Sequence, residues 1–511
     1  MITARYHLGE IEGSVDEAVA ALVAANAGER LWNRDSTLFG DDPTEISNRM
    51  GWLDSPAESL ADWEALTAFA DEVAETCDDV VLMGMGGSSL FPEVLTQTFA
   101  SAQGYPTLHV IDSTDPAAIR RVLDATDPAR TFHIASSKSG STLETRSHLE
   151  LFWARSQDPS RFAVVTDPGS KLGELARERG FAEVFENNPD IGGRYAALSL
   201  FGMVPAALID ADGEAMLEAA LDLADALEPI PLDTEANIGV RLGATFGAAA
   251  LGGRDKLTIV VTPELETFGL WLEQLVAEST GKHGHGIIPV IGEDIATVCA
   301  TSADRLIVTV GTVTGIDLLR ASGAPLVELS LEELTDAGAH CLLWEYAIAL
   351  AGKVLGINPF DQPDVEAAKS AARKLLGSAA PAAPTETPLA EALASVKPGD
   401  CLAVCAFVDP GSELATRLEA WRQQLGRDLG VATTLGFGPR FLHSTGQLHK
   451  GGPKSIIVLQ VVTEADEAGD LAIPEQSFTF DQFKAAQATG DLEALHSSGH
   501  RAFRVAVTDV P

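Results

Sequence analysis

Basic residues are scarce in this sequence. Its 35 lysines and arginines stand against 74 aspartates and glutamates, which gives a formal net charge of −39. Nucleic acids and anionic membrane surfaces are bound through cationic patches, so this balance argues against both classes of partner. It also predicts a strongly hydrated surface. If the ligand is itself an anion, a few cations and helix N-termini must overcome the field of the chain locally.

Cysteines and long apolar runs are also scarce. Five cysteines are scattered over 511 residues, and only Cys401 and Cys405 lie close together, so we expect buried thiols rather than disulfides or a metal site. No apolar run approaches the roughly 20 residues that cross a bilayer. The start, MITARYHLGEIEG, has neither the basic nor the apolar part of a secretory signal. These absences predict a soluble, cytoplasmic protein.

The pattern of apolar residues divides the chain into five segments. Residues 1–75 have helical periodicity and carry no recognisable chemistry. Residues 76–235 and 236–377 alternate short apolar runs with helical stretches, which is typical of parallel sheets with crossover helices. Residues 378–397, rich in alanine and proline, are typical of a linker, and 398–511 has α/β features again. The predicted strands read DVVLM, TLHVID, TFHIAS, FAVVT, AEVFE, LTIVV, LIVTV, PLVEL and CLAVCAF.

The strongest functional signal is FHIASSKSGSTLET, residues 132–145. An apolar run, 131–135, leads directly into a loop rich in hydroxyl residues that precedes a helical pattern. A helix N-terminus offers unpaired N–H groups and a partial positive charge, which suit a phosphate. A loop that merely caps the helix is the alternative. Its position after a buried strand favours a ligand site. The expected phosphate-binding side chains are Ser137, Lys138, Ser139, Ser141 and Thr142.

A second glycine turn, GMGGSSLFPEVL, follows the strand DVVLM. Gly84, Gly86 and Ser89, with Asp112 ending the next strand, come close to a dinucleotide fingerprint and raise a nicotinamide-dependent oxidoreductase as an alternative. The last glycine of that fingerprint is missing. The hydroxyl-rich loop 137–142 would also have no role in a dinucleotide site.

Two helical stretches carry charged residues beside an apolar stripe. In FGLWLEQLVAES, Glu278 lies at the edge of the stripe that begins at Phe268, so partial desolvation would suit its carboxylate to proton abstraction. A surface glutamate in the last turn is the alternative. In the predicted helix 363–376, Lys369 lies on the apolar face, where it either snorkels to solvent or reaches a bound anion.

A third feature is the loop 436–453, where basic side chains and glycines are concentrated in an otherwise acidic chain. An exposed loop without function is the alternative. Its basic residues include His443, His449 and Lys450.

Six motifs together carry a family resemblance. They are GGSSL at 86–90, SSKSGSTLET at 136–145, GGRYAALS at 192–199, GLWLEQLVAESTGK at 269–282, NPFDQPDVEAAK at 358–369 and HSTGQLHKGG at 443–452. With these motifs the sequence resembles the glucose-6-phosphate isomerases (phosphoglucose isomerases), and most closely the isomerase half of bacterial fusions with transaldolase. The resemblance implies two SIS-type doubly wound parallel-sheet domains plus a smaller C-terminal α/β segment. We do not extend it to a transaldolase activity.

The resemblance also implies roles for individual residues. It makes Glu278 the catalytic base, Arg194 the cation beside the reacting C1–C2 oxygens, His443 the ring-opening histidine and Lys369 its assistant. It assigns phosphate binding to the loop 137–142. Two further residues, in the facing loop, are Gly87 and Ser88.

One departure concerns the order of the motifs. Here Lys369 precedes His443, whereas in most of the family the histidine comes first. The alternatives for the ring-opening histidine are His283, His285 and His449.

The implied reaction is the reversible conversion of glucose 6-phosphate to fructose 6-phosphate through an enediol(ate), with no metal or organic cofactor. The implied partners are a small sugar phosphate and a second copy of the chain in a possible homodimer. A non-catalytic sugar-phosphate sensor and an isomerase that also accepts mannose 6-phosphate are the alternatives.

Overall fold

The computed structural model describes residues 1–228, 237–365, 375–376, 384–464 and 469–511. Within these residues the chain forms three sheets flanked by helices, which confirms the predicted α/β fold. Lys369 and most of the predicted helix 363–376 lie outside the described residues.

The first sheet contains the five strands predicted between residues 79 and 186. Its strand order is β3-β2-β4-β5-β6 and all neighbours are parallel, as expected where helices cover both faces. The strands are β2 Asp79–Met83, β3 Thr107–Ile111, β4 Thr131–Ser136, β5 Phe162–Thr166 and β6 Glu183–Glu186.

The second sheet has the order β1-β10-β9-β7-β8 and includes two strands that the sequence patterns did not predict. The N-terminal strand β1 pairs with β10 in antiparallel register, so segment 1–75 is not wholly helical. The strand β8 is only four residues long and follows a glycine-rich turn. It is therefore too short for the spacing of its apolar residues to predict a strand. The strands are β1 Ala4–His7, β7 Lys256–Val261, β8 Ile288–Ile291, β9 Arg305–Val310 and β10 Leu326–Leu329.

The third sheet is parallel, with the order β12-β11-β13-β14. A short helix, Leu389–Ala394, packs beside it, so part of the predicted linker is structured. The strands are β11 Cys401–Phe407, β12 Ala432–Phe437, β13 Ile456–Val462 and β14 Arg501–Arg504.

Eighteen α-helices lie within the described residues. They are α1 Glu12–Ala24, α2 Ala27–Trp32, α3 Ser55–Ala74, α4 Leu90–Thr98, α5 Pro116–Ala125, α6 Leu143–Ser156, α7 Lys171–Arg179, α8 Leu200–Leu208, α9 Gly213–Leu227, α10 Ile238–Leu251, α11 Phe268–Thr280, α12 Ile295–Ala300, α13 Ile316–Ala321, α14 Ala337–Leu355, α15 Leu389–Ala394, α16 Glu413–Leu429, α17 Gly446–Gly451 and α18 Phe480–Ser497. In this part of the chain no helix combines the length and the apolar character needed to cross a bilayer.

The core between the first two sheets depends on close helix contact. Gly239, Gly243 and Gly247 recur every four residues on α10 and face α14. A Cβ on Gly239 would lie 2.5 Å from the Tyr346 ring, and one on Gly243 would lie 2.6 Å from the Ala347 carbonyl oxygen. The stripe of glycines therefore lets the two helices approach backbone to backbone.

A buried ion pair links the second and third sheets. Arg305, at the start of β9, lies 2.7 Å from Glu293, and both side chains are fully buried. The other Glu293 carboxylate oxygen accepts hydrogen bonds from the Thr433 backbone N–H (2.7 Å) and hydroxyl (3.0 Å) on β12. Removing one member leaves an uncompensated charge in the interior.

We expect Arg305→Met to destabilise the protein by about 3–5 kcal/mol, because Glu293 would lose its counterion. The urea midpoint of unfolding measures this. The double variant Arg305→Met/Glu293→Gln should recover most of the loss. Arg177→Met removes a half-exposed ion pair with Glu186, so it should cost less than about 1 kcal/mol. Equal losses for Arg305→Met and Arg177→Met would contradict this account.

Candidate active site

The expected phosphate loop lies at the carboxyl end of β4 and leads into α6. Ser137 is buried, and its hydroxyl lies 3.0 Å from that of Thr142. The exposed Ser139 hydroxyl lies 2.9 Å from that of Ser141. Thr142 is the N-cap of α6, yet its own side chain makes no capping hydrogen bond to the first turn. The loop thus joins four hydroxyls to an uncapped helix N-terminus, the arrangement that suits a phosphate.

The backbone of this loop requires a glycine at its centre. Gly140 has a positive φ of 64°, and a Cβ there would lie 2.8 Å from the Leu172 backbone nitrogen. Both facts favour glycine, because L side chains rarely adopt this conformation.

The Lys138 ammonium contacts a neighbouring carboxylate. It does not point into the loop but lies 2.6 Å from the Asp167 carboxylate and donates to the Pro189 carbonyl at 2.7 Å. Burial raises the pKa of Asp167, and the ammonium offsets part of that cost. The side chain of Lys138 therefore serves a neighbouring carboxylate in this structure.

The loop 86–88 follows β2, the strand beside β4, so both loops leave the same edge of the first sheet. A Cβ on Gly87 would lie 1.8 Å from the Gly193 carbonyl oxygen, and one on Gly86 would lie 2.6 Å from the His443 carbonyl oxygen. Ser88 is buried. The two glycines thus admit the backbones that carry Arg194 and His443.

Arg194 is 3% exposed and is held by one turn of the second domain. Its Nη2 donates to the carbonyls of Phe360 (2.8 Å) and Asp361 (3.2 Å) and to the Gln362 side chain. Its Nε lies 3.7 Å from the Glu278 carboxylate, while its Nη1 is buried and has no hydrogen-bond partner among the described residues. The guanidinium therefore has an unused donor beside the expected base.

Glu278 lies on α11, as predicted, at the edge of a buried stripe. Its side chain is 14% exposed, and its Oε2 accepts a hydrogen bond from Gln274 Nε2 at 3.0 Å. The same Gln274 nitrogen donates to the His443 carbonyl at 2.9 Å. One amide therefore ties the expected base to the histidine segment. The spacing of four residues on one helix was the signal for Gln274, and sequence reasoning missed it.

His443 lies in the turn that leads to α17 and reaches the first domain. Its Nε2 lies 2.9 Å from the carboxylate of Glu144, in the first turn of α6. Gln487 Nε2 on α18 donates to the same carboxylate oxygen at 2.8 Å. A carboxylate in this position fixes the orientation of the imidazole. The motif SSKSGSTLET contains Glu144, but no local pattern pairs it with a residue 299 positions away.

The structure separates His443 from its alternatives. His449 is buried at 6% exposure, and burial, with Lys450 adding to it, lowers its pKa to about 3, so it is neutral at pH 7. Its Nδ1 lies 3.9 Å from the Cys405 sulfur. His283 and His285 are exposed, in the turn after α11. Of these four histidines, His443 is the one joined to both Glu144 and Gln274.

In the dinucleotide alternative the acidic residue is Asp112, but this residue is buried and already paired. Asp112 is 4% exposed, lies 2.6 Å from Arg440 Nε and accepts a hydrogen bond from the Ser89 hydroxyl at 3.2 Å. A dinucleotide site needs this carboxylate to bind a ribose. Here it joins the first domain to the third.

The described residues contain no group of three or more histidine, cysteine, aspartate or glutamate side chains that could hold a metal ion. Lys369, the fourth expected catalytic residue, lies outside the described residues.

We expect Thr142→Val to weaken the binding of inorganic phosphate about tenfold, since a hydrogen bond to a charged group contributes about 1.5–3 kcal/mol. The shift of the melting temperature with phosphate concentration measures the affinity. Ser160→Ala, which removes an exposed hydroxyl bonded to Asp158 away from the loop, is the control. Equal phosphate affinity in the parent and Thr142→Val would refute the phosphate loop.

Comparisons with known proteins show which proteins this chain is similar to. The family model for phosphoglucose isomerase matches residues 59–288. The glucose-6-phosphate isomerase of Nostoc punctiforme is 28% identical over 373 residues, which cover 61% of this chain and 70% of the relative. That of Acaryochloris marina is 29% identical over 421 residues, covering 70% and 77%.

Solved structures with a similar fold include a glucose-6-phosphate isomerase and a protein of unassigned function. A hypothetical protein of Thermus thermophilus superposes with a TM-score of 0.63 and 25% identity, covering 74% of this chain and 100% of that one. A glucose-6-phosphate isomerase of Chlamydia trachomatis superposes with a TM-score of 0.57 and 20% identity, covering 74% and 88%. The resemblance to the glucose-6-phosphate isomerases that the six motifs predict is confirmed: this chain is similar to them in sequence, and its residues 59–288 match the phosphoglucose isomerase family model.

Proposed function

We propose that this protein interconverts glucose 6-phosphate and fructose 6-phosphate. The observation that carries the proposal is the contact between Arg194 and Glu278, a buried cation 3.7 Å from a carboxylate, in a relative of glucose-6-phosphate isomerases. A protein that only binds sugar phosphates needs the phosphate loop but has no use for this pair.

The reaction moves one carbon-bound proton and exchanges the oxidation states of C1 and C2. After the ring opens, the base removes the proton from C2, and the aldehyde oxygen at C1 takes up negative charge. The base then returns the proton to C1, and the C2 hydroxyl proton is transferred to the C1 oxygen, which leaves a hydroxyl at C1 and the ketone at C2. A carbon acid is weak, so the rate depends on stabilising the charge on oxygen.

Glu278 carries the proton in this proposal. The Gln274 amide fixes one of its oxygens, and its partial exposure gives a substrate access from one side. Arg194 holds the developing oxyanion with its unused Nη1, because a guanidinium stays charged at any working pH. The role of Lys369 as the assistant of His443 rests on the family resemblance alone.

His443 opens the ring. An imidazole can donate or accept a proton near neutral pH, and the Glu144 carboxylate fixes the orientation of the ring. Since Glu144 follows the phosphate loop directly, the phosphate and the sugar ring are held by adjacent parts of one segment. Phosphate binding can thereby orient the reacting carbons.

The substrate is a small sugar phosphate. We propose a site completed within one chain, whether or not the protein forms a homodimer, because Glu144, Gln274 and His443 are joined within a single copy. We also propose a cytoplasmic location, to which the five unpaired thiols are suited.

We expect Glu278→Gln to lower kcat about 10³-fold, since a general base contributes about 10²–10⁴, while the Michaelis constant changes little. The assay couples fructose 6-phosphate conversion to glucose-6-phosphate dehydrogenase. Glu273→Gln is the matched control on the same helix: burial raises the pKa of Glu273 to about 8, so its carboxyl is mostly protonated at pH 7 and an amide replaces it closely. Unchanged turnover in Glu278→Gln would overturn the proposed base.

We expect Glu144→Gln to lower kcat about tenfold or more, because an amide replaces the carboxylate that contacts and orients the His443 imidazole. Glu150→Gln is the control on the same helix, because Glu150 pairs with Arg179 and does not contact His443. Steady-state kinetics with fructose 6-phosphate compare the two variants. Equal kcat values for them would remove Glu144 from the mechanism.

A further inference from the structure

Lys282 is an ionisable residue that the proposed mechanism does not use. It lies two residues beyond α11, the helix that carries Glu278, and its side chain is 0% exposed. The side chain therefore cannot reach a substrate. A lysine in such a position is stable only with a counterion and hydrogen-bond acceptors, so its partners define its role.

Among the described residues, the partners of the Lys282 side chain all lie in one turn of the second domain. The Lys282 ammonium lies 2.6 Å from the Asp361 carboxylate and donates a hydrogen bond to the Asn358 carbonyl. The Lys282 side chain thus joins the turn 358–362 to the C-terminal end of α11 through contacts with two residues of the turn.

The same turn holds the guanidinium of Arg194. The carbonyls of Phe360 and Asp361 and the side chain of Gln362 accept all the hydrogen bonds that Arg194 Nη2 donates within the described residues. A shift of this turn relative to α11 would therefore move Arg194 relative to Glu278, which lies on α11 itself.

We propose that Lys282 is a positioning residue: it fixes the turn 358–362 against α11 and so sets the distance between Arg194 and Glu278. This inference rests on the proposed isomerase function. Burial, with the nearby Arg194 adding to it, lowers the pKa of Lys282 to about 7 while Asp361 opposes the shift, which agrees with an amine close to the guanidinium.

A purely structural ion pair is the competing explanation, and the chain contains a matched example. Lys256 is 3% exposed, lies 2.7 Å from Asp255 and 3.0 Å from Asp304, and donates to the Gly399 carbonyl at 2.6 Å. It lies at the start of β7, away from the turn 358–362. Its loss should cost stability without affecting the site.

The test compares Lys282→Met/Asp361→Asn with Lys256→Met. The double variant removes both charges, which avoids leaving Asp361 without a counterion. Because a misplacement of roughly 1 Å can cost about 100-fold in rate, we expect kcat of the double variant to fall about 100-fold. Lys256→Met should keep the parent kcat. If the double variant fails to fold, Asp361→Asn alone is compared and should show a smaller fall in kcat.

A binding measurement separates this inference from the proposed function. Arabinonate 5-phosphate carries a planar carboxylate that mimics the enediolate and needs Arg194, whereas glucitol 6-phosphate carries only the phosphate and hydroxyls. We expect calorimetry to show about tenfold weaker binding of the arabinonate to the double variant and unchanged binding of the glucitol phosphate.

Unchanged kcat in a folded double variant, or equal weakening of both ligands, would overturn the positioning role. An inactive parent chain would overturn the proposed function instead, and the difference between the two ligands would still test the role of Lys282.

Discussion

The active site depends on how His443 is held between two domains. Its imidazole contacts Glu144, which follows the phosphate loop of the first domain, and its backbone carbonyl accepts from Gln274, one turn before Glu278 on α11. The third sheet thus brings the histidine to the groups proposed to bind phosphate and to the groups proposed to move the proton. Gly86 makes this possible, since a side chain there would meet the His443 backbone.

Charge explains why the third sheet docks in this position. The chain has a net charge of −39, yet two basic side chains of the third domain meet acids of the first domain. Arg440 lies 2.6 Å from Asp112, and Lys484 lies 3.0 Å from Asp115. Both pairs are largely buried, where a misplaced charge would cost several kcal/mol. The pairs therefore favour one relative position of the two domains, the one that brings His443 to Glu144.

The sequence predicts features that depend on neighbouring residues. Apolar runs predict the strands of the first sheet, and the stripe on α11 predicts a partly buried Glu278. Sequence patterns do not predict features that depend on contacts between residues far apart in the chain. The Lys138 ammonium pairs with Asp167, 29 positions away, and Glu144 with His443, 299 positions away. The strand β1 was also missed, because its place beside β10 is set by a pairing across more than 300 residues that no local pattern encodes.

The most direct test traces the hydrogen atom bound to C2 of the substrate. Glucose 6-phosphate deuterated at C2 is converted by the protein in ordinary water, and the fructose 6-phosphate formed is analysed by NMR. Transfer by one carboxylate predicts that part of the deuterium appears at C1 and part is lost to solvent, with slower turnover than for the undeuterated sugar. Complete retention at C1, without any exchange, would indicate a hydride shift and contradict a base at Glu278.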